Sequence, residues 1–274
     1  MAFKLFDYQS SGKGVSKNAP QKKPFFRYWE IFGRKFWKII ELNMLYILFC
    51  IPVITFGPAT AALTHVMRKF ILEQPCFVFD EFFTAFKKNF KQSVAIGIVD
   101  VICLASLFVS AVNFLYAEKL PDEYMVFACI FICCATVIFI MHFYIYLEIV
   151  ALKLSLKAIL KNAVFLVFLG VKQNILAFII NVAIITLVVI FLPFSIFVVI
   201  FLPLSLICFT TTFICYPVIQ KYIINPYYEE RGETNPELSP VGGEESDEGA
   251  VFVDRGGTEK EIKATPKAHG KVIK

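Results

Sequence analysis

The chain has 274 residues, 58% of them hydrophobic, with 31 Phe and a formal net charge of +5. A soluble domain averages about 45–50% apolar residues. Here the mean hydropathy is +0.68 and the excess sits in long uncharged runs, which argues against an ordinary soluble enzyme and for a helical protein that crosses a membrane several times.

Residues 1–24 are polar and rich in Lys, Ser and Gly, and are expected to be a flexible basic arm. Nine Lys/Arg lie between Met1 and Lys38 against Asp7 and Glu30. A basic arm beside a membrane meets anionic lipid head groups. Nucleic acid is not an expected partner, because the lysines are dispersed and no binding-fold signature accompanies them. There is no apolar leader with a cleavage site, so no cleaved signal peptide is expected.

Residues 25–38 mix Phe, Tyr and Trp with Arg and Lys, a composition suited to the head-group layer. The spacing predicts an interfacial helix there, leading into a first apolar stretch over about 36–56. That stretch is broken near its end by Pro52 and then by Gly57-Pro58, and the chain is expected to restart as a helix at Pro58. Over 79–91 the phenylalanines Phe82, Phe83, Phe86 and Phe90 share one face, with Lys87, Lys88 and Lys91 among the polar residues opposite. This predicts an amphipathic helix lying on the membrane surface. Further spans follow over about 93–116, 124–150, 174–192 and 194–224, the last interrupted at Pro203 and ended near Pro217. Lys153, Lys157 and Lys161 recur every four residues and predict a second basic surface helix before the fourth span. Surface helix followed by span thus occurs twice, with Lys88-Asn89 and Lys161-Asn162 at similar places, which suggests an internal repeat. From Asn225 onward the composition is acid-rich and polar, so 225–274 is expected to be a disordered tail and 25–224 the membrane domain.

The fold class is therefore all-α: a polytopic helical membrane protein with about five spans, a broken first segment and amphipathic surface helices. Lys and Arg gather on the cytoplasmic side. Five plain spans would leave the basic N-terminal arm outside. If 36–72 instead goes in and comes back as a hairpin, with Pro52 to Pro58 at its tip, both termini are cytoplasmic and the conflict disappears. Non-helical backbone at membrane depth needs protein or a wet cavity around it, so the hairpin is expected to pack against the later spans of a cell-membrane protein.

Two places carry candidate chemistry. Asp100 and His142 lie within spans, each about 10 Å deep at 1.5 Å per residue. An ionisable residue at that depth is a functional candidate by default, and this pair suits a proton or ligand site as well as a register-fixing contact. The second place is the break, with Asn43, Pro52, Thr55, Gly57 and Pro58, since broken helices line binding sites in transporters. Glu148 is expected to pair with Lys153 or a neighbouring basic helix. Lys87, Lys88, Lys91, Lys153, Lys157 and Lys161 are expected to face lipid head groups. The eight Cys and three His form no metal-ligand spacing, and no phosphate loop or nucleophile elbow is present. No cofactor, metal or enzymatic activity is expected.

The runs Lys4-Leu-Phe-Asp7-Tyr8, Pro52-x-x-Thr55-x-Gly57-Pro58-Ala-x-Ala-Ala62, Asp80-Glu-Phe-Phe through Gln92, and Leu160-Lys161-Asn162-Ala163 resemble the YesL-like family. These are small bacterial multi-pass membrane proteins built on a domain of unknown function. The resemblance covers about 1–228; the spacer 9–24 and the acidic tail depart from it. It implies an association with carbohydrate uptake through a sugar ABC permease, and carries over no catalytic residue. Two readings follow. One is an accessory or regulatory partner of such a permease. The other is a small transporter or channel using the broken helix, which at this size would work as a homo-oligomer.

Overall fold

The computed structural model describes residues 23–116, 122–233, 235 and 237, with side chains at all of these but 107–108, 111–116, 122–125, 128–129 and 196. The basic arm up to residue 22, part of the acidic turn before Asp122 and nearly all of the C-terminal tail lie outside the described residues. What is described is helical throughout. The helices are α1 Pro24–Cys50, α2 Phe56–Ile71, α3 Val78–Tyr116, α4 Asp122–Ala151, α5 Leu156–Leu169, α6 Val171–Ile190, α7 Ser195–Phe201, α8 Pro203–Ile219 and α9 Asn225–Glu229. Four stretches are long and apolar enough to cross a membrane: Val78–Ser106, Ile130–Ala151, Val171–Ile190 and Pro203–Glu229. The fifth span expected, over 36–56, is not among them.

That segment is one arm of a helical hairpin. α1 runs unbroken through both the aromatic-basic stretch and the apolar stretch, then stops at Pro52. A single 3-10 turn, Val53–Thr55, carries the chain into α2, which starts at Phe56, two residues before Pro58. The Thr55 hydroxyl lies 2.6 Å from the carbonyl oxygens of Phe49 and Pro52 and occupies the acceptors that the break exposes. The two arms are antiparallel. Near the tip the Tyr46 hydroxyl meets Thr60 Oγ1 at 3.1 Å. At the open end Arg27 Nη2 donates to the Ile71 carbonyl at 3.1 Å, and Arg34 reaches Glu73. Glu73 closes α2 in a left-handed conformation, φ 57°, with Gln74 N–H bonded to Lys69 O and Glu73 N–H to Phe70 O. Glycine usually takes this position. Exposed ion pairs contribute only about 0–1 kcal/mol each, so the two arginines position the turn more than they stabilise the hairpin.

α3 corrects two expectations. The amphipathic stretch 79–91 and the following span form one 39-residue helix, about 58 Å long at 1.5 Å per residue. Nothing between them breaks a helix. The phenylalanine face is also partly covered by the hairpin, with Phe90 left exposed. Phe82 is fully buried, and Phe82 and Phe86 pack against Phe49 of α1 at 5.3 and 5.1 Å between ring centres. The first part of the stripe, at Phe82 and Phe86, is a packing face inside the chain.

The basic stretch after α4 is also not a single helix. Residues 152–155 are non-helical, so Lys153 precedes α5 while Lys157 and Lys161 lie on it. Gln92 Nε2 of α3 donates to Leu154 O at 3.0 Å and holds this connection against the start of the membrane stretch. All six lysines expected at head groups are exposed. The internal repeat is not reproduced in construction: one unit is the unbroken α3, whereas the other is α5 and α6 joined at Gly170. A side chain at Gly170 would come within 2.6 Å of the Tyr144 hydroxyl.

The apolar stretch after Pro193 does break before Pro203, as α7 and α8. It does not end at Pro217. That residue sits inside α8, a π turn over Gln220–Ile224 follows, and α9 continues to Glu229. α9 thus occupies the first residues of the stretch that composition assigns to the tail.

Two buried clusters result. One joins the hairpin to α3 and α8 around Leu42, Met67, Phe70, Phe82 and Phe209; the other joins α4, α5, α6 and α8 around Tyr144, Leu147, Ile159, Leu166 and Tyr216. Arg27–Ile71 and Arg68–Tyr216 bring the start of α1, the end of α2 and the end of α8 together, while Gln92–Leu154 ties α3 to the end of α4.

Candidate functional site

A close backbone approach sets the geometry of the interior. Gly57 of α2 and Gly97 of α3 face one another with no room for a side chain. A Cβ on Gly97 would lie 2.6 Å from Gly57 Cα, and one on Gly57 would lie 2.9 Å from Gly97 Cα and would overlap the Ser93 carbonyl. Small residues permit such close crossings. One helical turn beyond this contact, α3 carries Asp100, and the helices separate.

The space that opens between α2, α3, α4 and α8 is a cavity of about 370 Å³. That is within the usual range for small-ligand pockets, roughly 300–1,000 Å³. Most of its wall is apolar, with Phe56, Leu63, Phe139, Phe143, Leu204 and Ile207 contributing. The polar part is built on Asp100. His142 Nε2 contacts Asp100 Oδ1, and the Tyr146 hydroxyl donates to Asp100 Oδ2 at 2.5 Å. Tyr146 stands one turn after His142 on α4, so the two side chains reach the same carboxylate from one helix face. His142 Nδ1 lies 2.8 Å from the Ile138 carbonyl.

Proton counting follows from these contacts. The Ile138 carbonyl can only accept, so Nδ1 carries a hydrogen. The contact between Nε2 and Asp100 Oδ1 then holds one further proton, whichever atom bears it. The pair is neutral overall. That is the arrangement in which an aspartate can stand at this depth among apolar helices, because a charged side chain without a partner there is costly.

A second polar strip is made by α2 and α8. The Thr60 hydroxyl is 2.8 Å from Phe56 O, that of Thr64 is 2.8 Å from Thr60 O, and Thr64 also faces Cys208 Sγ at 3.6 Å. Thr211, also in the wall, accepts from Asn181 Nδ2 at 2.7 Å.

The structure thus brings Asp100 and His142 together and adds Tyr146, which the sequence reading omitted. The signal was available: an aromatic hydroxyl at i+4 from a histidine within an apolar run. The break behaves differently. Asn43, Pro52, Thr55, Gly57 and Pro58 do not wall the cavity; only the neighbouring Phe56 and Thr60 reach it. Asn43 instead holds the other interruption of the bundle. Its Nδ2 donates to Val199 O at 3.0 Å and Ile200 O at 2.7 Å, and its Oδ1 accepts from Ser205 N–H at 2.8 Å, which closes the gap between α7 and α8. Glu148 is a further correction. It is fully buried, and neither carboxyl oxygen has a hydrogen-bond partner among the described residues, so it forms no pair with Lys153. Its polar neighbour is Asn162 of α5.

An all-helical bundle with four membrane-length apolar helices, a buried acid–histidine pair and a mostly apolar cavity defines a class: it is consistent with a multi-pass membrane protein. The family model described as a protein of unknown function, DUF624, matches residues 39–111. The match takes in the second half of α1, the break, α2 and α3 through Asp100, and leaves His142 and Tyr146 outside. No curated protein and no solved structure matches the chain.

Proposed function

We propose that this is a YesL-like multi-pass protein of the cell membrane with both termini cytoplasmic, acting as an accessory partner of a sugar ABC permease and holding a small ligand in its intramembrane cavity. The observation that carries the accessory reading over that of a conduit is the packing of the helix break. A transporter working through Pro52–Pro58 needs that segment to move and to face its cargo. Here Gly57 is pressed against the backbone of α3, Thr55 is bonded inward, and the break residues stand away from the cavity. The orientation is supported by the hairpin, which returns the chain to the end where Arg27, Arg34 and Lys69 gather.

The test has two arms. The full-length chain, solubilised in mild detergent from cells that also make the sugar permease, is expected to co-purify with the permease. Proteoliposomes holding this chain alone are expected to take up radiolabelled oligosaccharides no faster than empty liposomes. Uptake above that background, without permease, would overturn the accessory reading.

A further inference from the structure

We propose that the cavity takes a neutral, hydroxyl-headed amphiphile directly from the bilayer, through a mouth between α3 and α4, with the head held at Asp100, His142 and Tyr146. This rests on reading the cavity as a ligand site and names the ligand's class.

Three observations carry it. The first is a gradient of burial along the wall. At the polar end Asp100, Tyr146 and Thr64 are 6%, 5% and 4% exposed. At the other end Leu104 of α3 and Ile138 of α4 are 55% and 41% exposed, and Ser106 and Cys134 are exposed beside them. The wall therefore becomes surface between α3 and α4. Ile102, Val109, Ile130 and Ile132 flank that opening and are themselves exposed, so the mouth lies in an apolar band. A molecule entering there comes from lipid.

The second observation is charge. No Lys or Arg lines the cavity, and the one acid is matched by His142 within a neutral pair. A phosphate or carboxylate head would be buried with no cation to meet it.

The third is the balance of donors and acceptors. The side-chain hydrogens at the polar end are already engaged. Tyr146 O–H goes to Asp100, Thr60 and Thr64 face backbone carbonyls, and His142 Nδ1 faces Ile138 O. What remains are lone pairs: a carboxylate oxygen has about two acceptor positions, and Asp100 uses one on each oxygen. The site offers acceptors and asks for a donor. A hydroxyl head supplies that hydrogen, and its chain fills the apolar part.

The experiment uses the full-length protein in phosphatidylcholine nanodiscs. Three diazirine probes with one common long alkyl chain carry an alcohol, a primary amine or a phosphate monoester as head. The alcohol is expected to label the α3 and α4 peptides that bear Ser106, Cys134 and Ile138. The one hydrogen bond from the hydroxyl to Asp100, set against a phosphate charge buried with no cation to meet it, predicts roughly tenfold or more labelling over the phosphate. Asp100→Ala is expected to remove that preference. Because Asp100→Ala also strands His142 and could prevent folding, Leu104→Trp serves as the second variant. It changes only an exposed mouth position and is expected to cut alcohol labelling while leaving the melting temperature unchanged. Equal labelling by the phosphate, stronger labelling by the amine, alcohol labelling indifferent to Leu104→Trp, or no labelling at the cavity would each overturn the proposal. Preferred amine or phosphate labelling at those same peptides would remove the ligand class and leave the cavity as a ligand site. Permease co-purification and liposome uptake are read separately and decide the accessory role by themselves.

Discussion

Replacing Gly57 with Ala tests the contact on which the interior depends. The added carbon would stand 2.8 Å from the Ser93 carbonyl carbon and 2.9 Å from Gly97 Cα, where ordinary van der Waals contact begins near 3.4 Å. Both obstacles are backbone inside helices, so no side-chain rotation relieves them. The Ser93 carbonyl oxygen is nearer still, at 1.9 Å, so α2 and α3 must separate by about 1.5 Å to restore ordinary contact. Overpacking of this kind costs about 1–3 kcal/mol, and a rigid neighbour places the site near the upper end. Alanine regains at most about 1 kcal/mol of helix propensity. The expected net loss is about 2 kcal/mol, read as a lower midpoint in chemical denaturation of the purified protein in detergent. Gly97→Ala strikes the same contact, at 2.6 Å from Gly57 Cα and N, and is expected to cost a similar amount. The double variant is expected to lose less than the sum, because helices already pushed apart accommodate the second methyl. Gly33→Ala is the control: nothing lies within 4 Å of its Cβ position, and it is expected to be neutral or stabilising by up to about 1 kcal/mol. Gly57→Ala and Gly33→Ala denaturing at the same midpoint would refute the reasoning.

Three further outcomes follow from named contacts. Asn43→Ala removes three hydrogen bonds and leaves Ser205 N–H unpaired, so a loss of about 2–3 kcal/mol in the same denaturation assay is expected; Asn43→Asp does not restore it, because two carbonyls then face an acceptor. Tyr146→Phe is expected to cost about 1–2 kcal/mol, whereas Asp100→Ala, which strands His142, is expected to cost about 3–5 kcal/mol; equal losses would contradict the assignment of Asp100 as the shared acceptor. Single cysteines placed at exposed Val53, at the hairpin tip, and at Glu73, at its open end, are expected to react with an impermeant maleimide from opposite sides of the membrane. Labelling of both from the same side would refute the hairpin as a membrane element.

Much of the architecture was legible in the residues. The long apolar runs, the stop at Pro52 and the interruption before Pro203 follow from local rules, since proline removes an N–H and glycine-proline ends a helix wherever it falls. The hairpin was legible because a charge rule and a break pointed to the same topology. Asp100 and His142 were legible as a pair, because each is out of place in an apolar run. Other features depended on neighbours that periodicity cannot report. The phenylalanine stripe of 79–91 has the pattern of a membrane-surface helix and equally that of a helix packed on another; Phe49 and the hairpin cover its first part, at Phe82 and Phe86. Glu148 lies three residues from the end of α4, where an exposed partner was the natural expectation, yet the packing of α4 buried it. Gly57 read as part of a break, and only the crossing with α3 showed it to be a point of backbone contact. The cavity itself has no sequence signature. It exists because two glycines draw α2 and α3 together at one level and bulky side chains part the helices at the next. The sequence alone determined that the chain is helical and apolar and that it is interrupted at Pro52 and before Pro203, because those are short-range properties of the chain. Only the tertiary structure decided which faces meet and what space they leave, because those depend on residues more than a hundred positions apart arriving at the same depth.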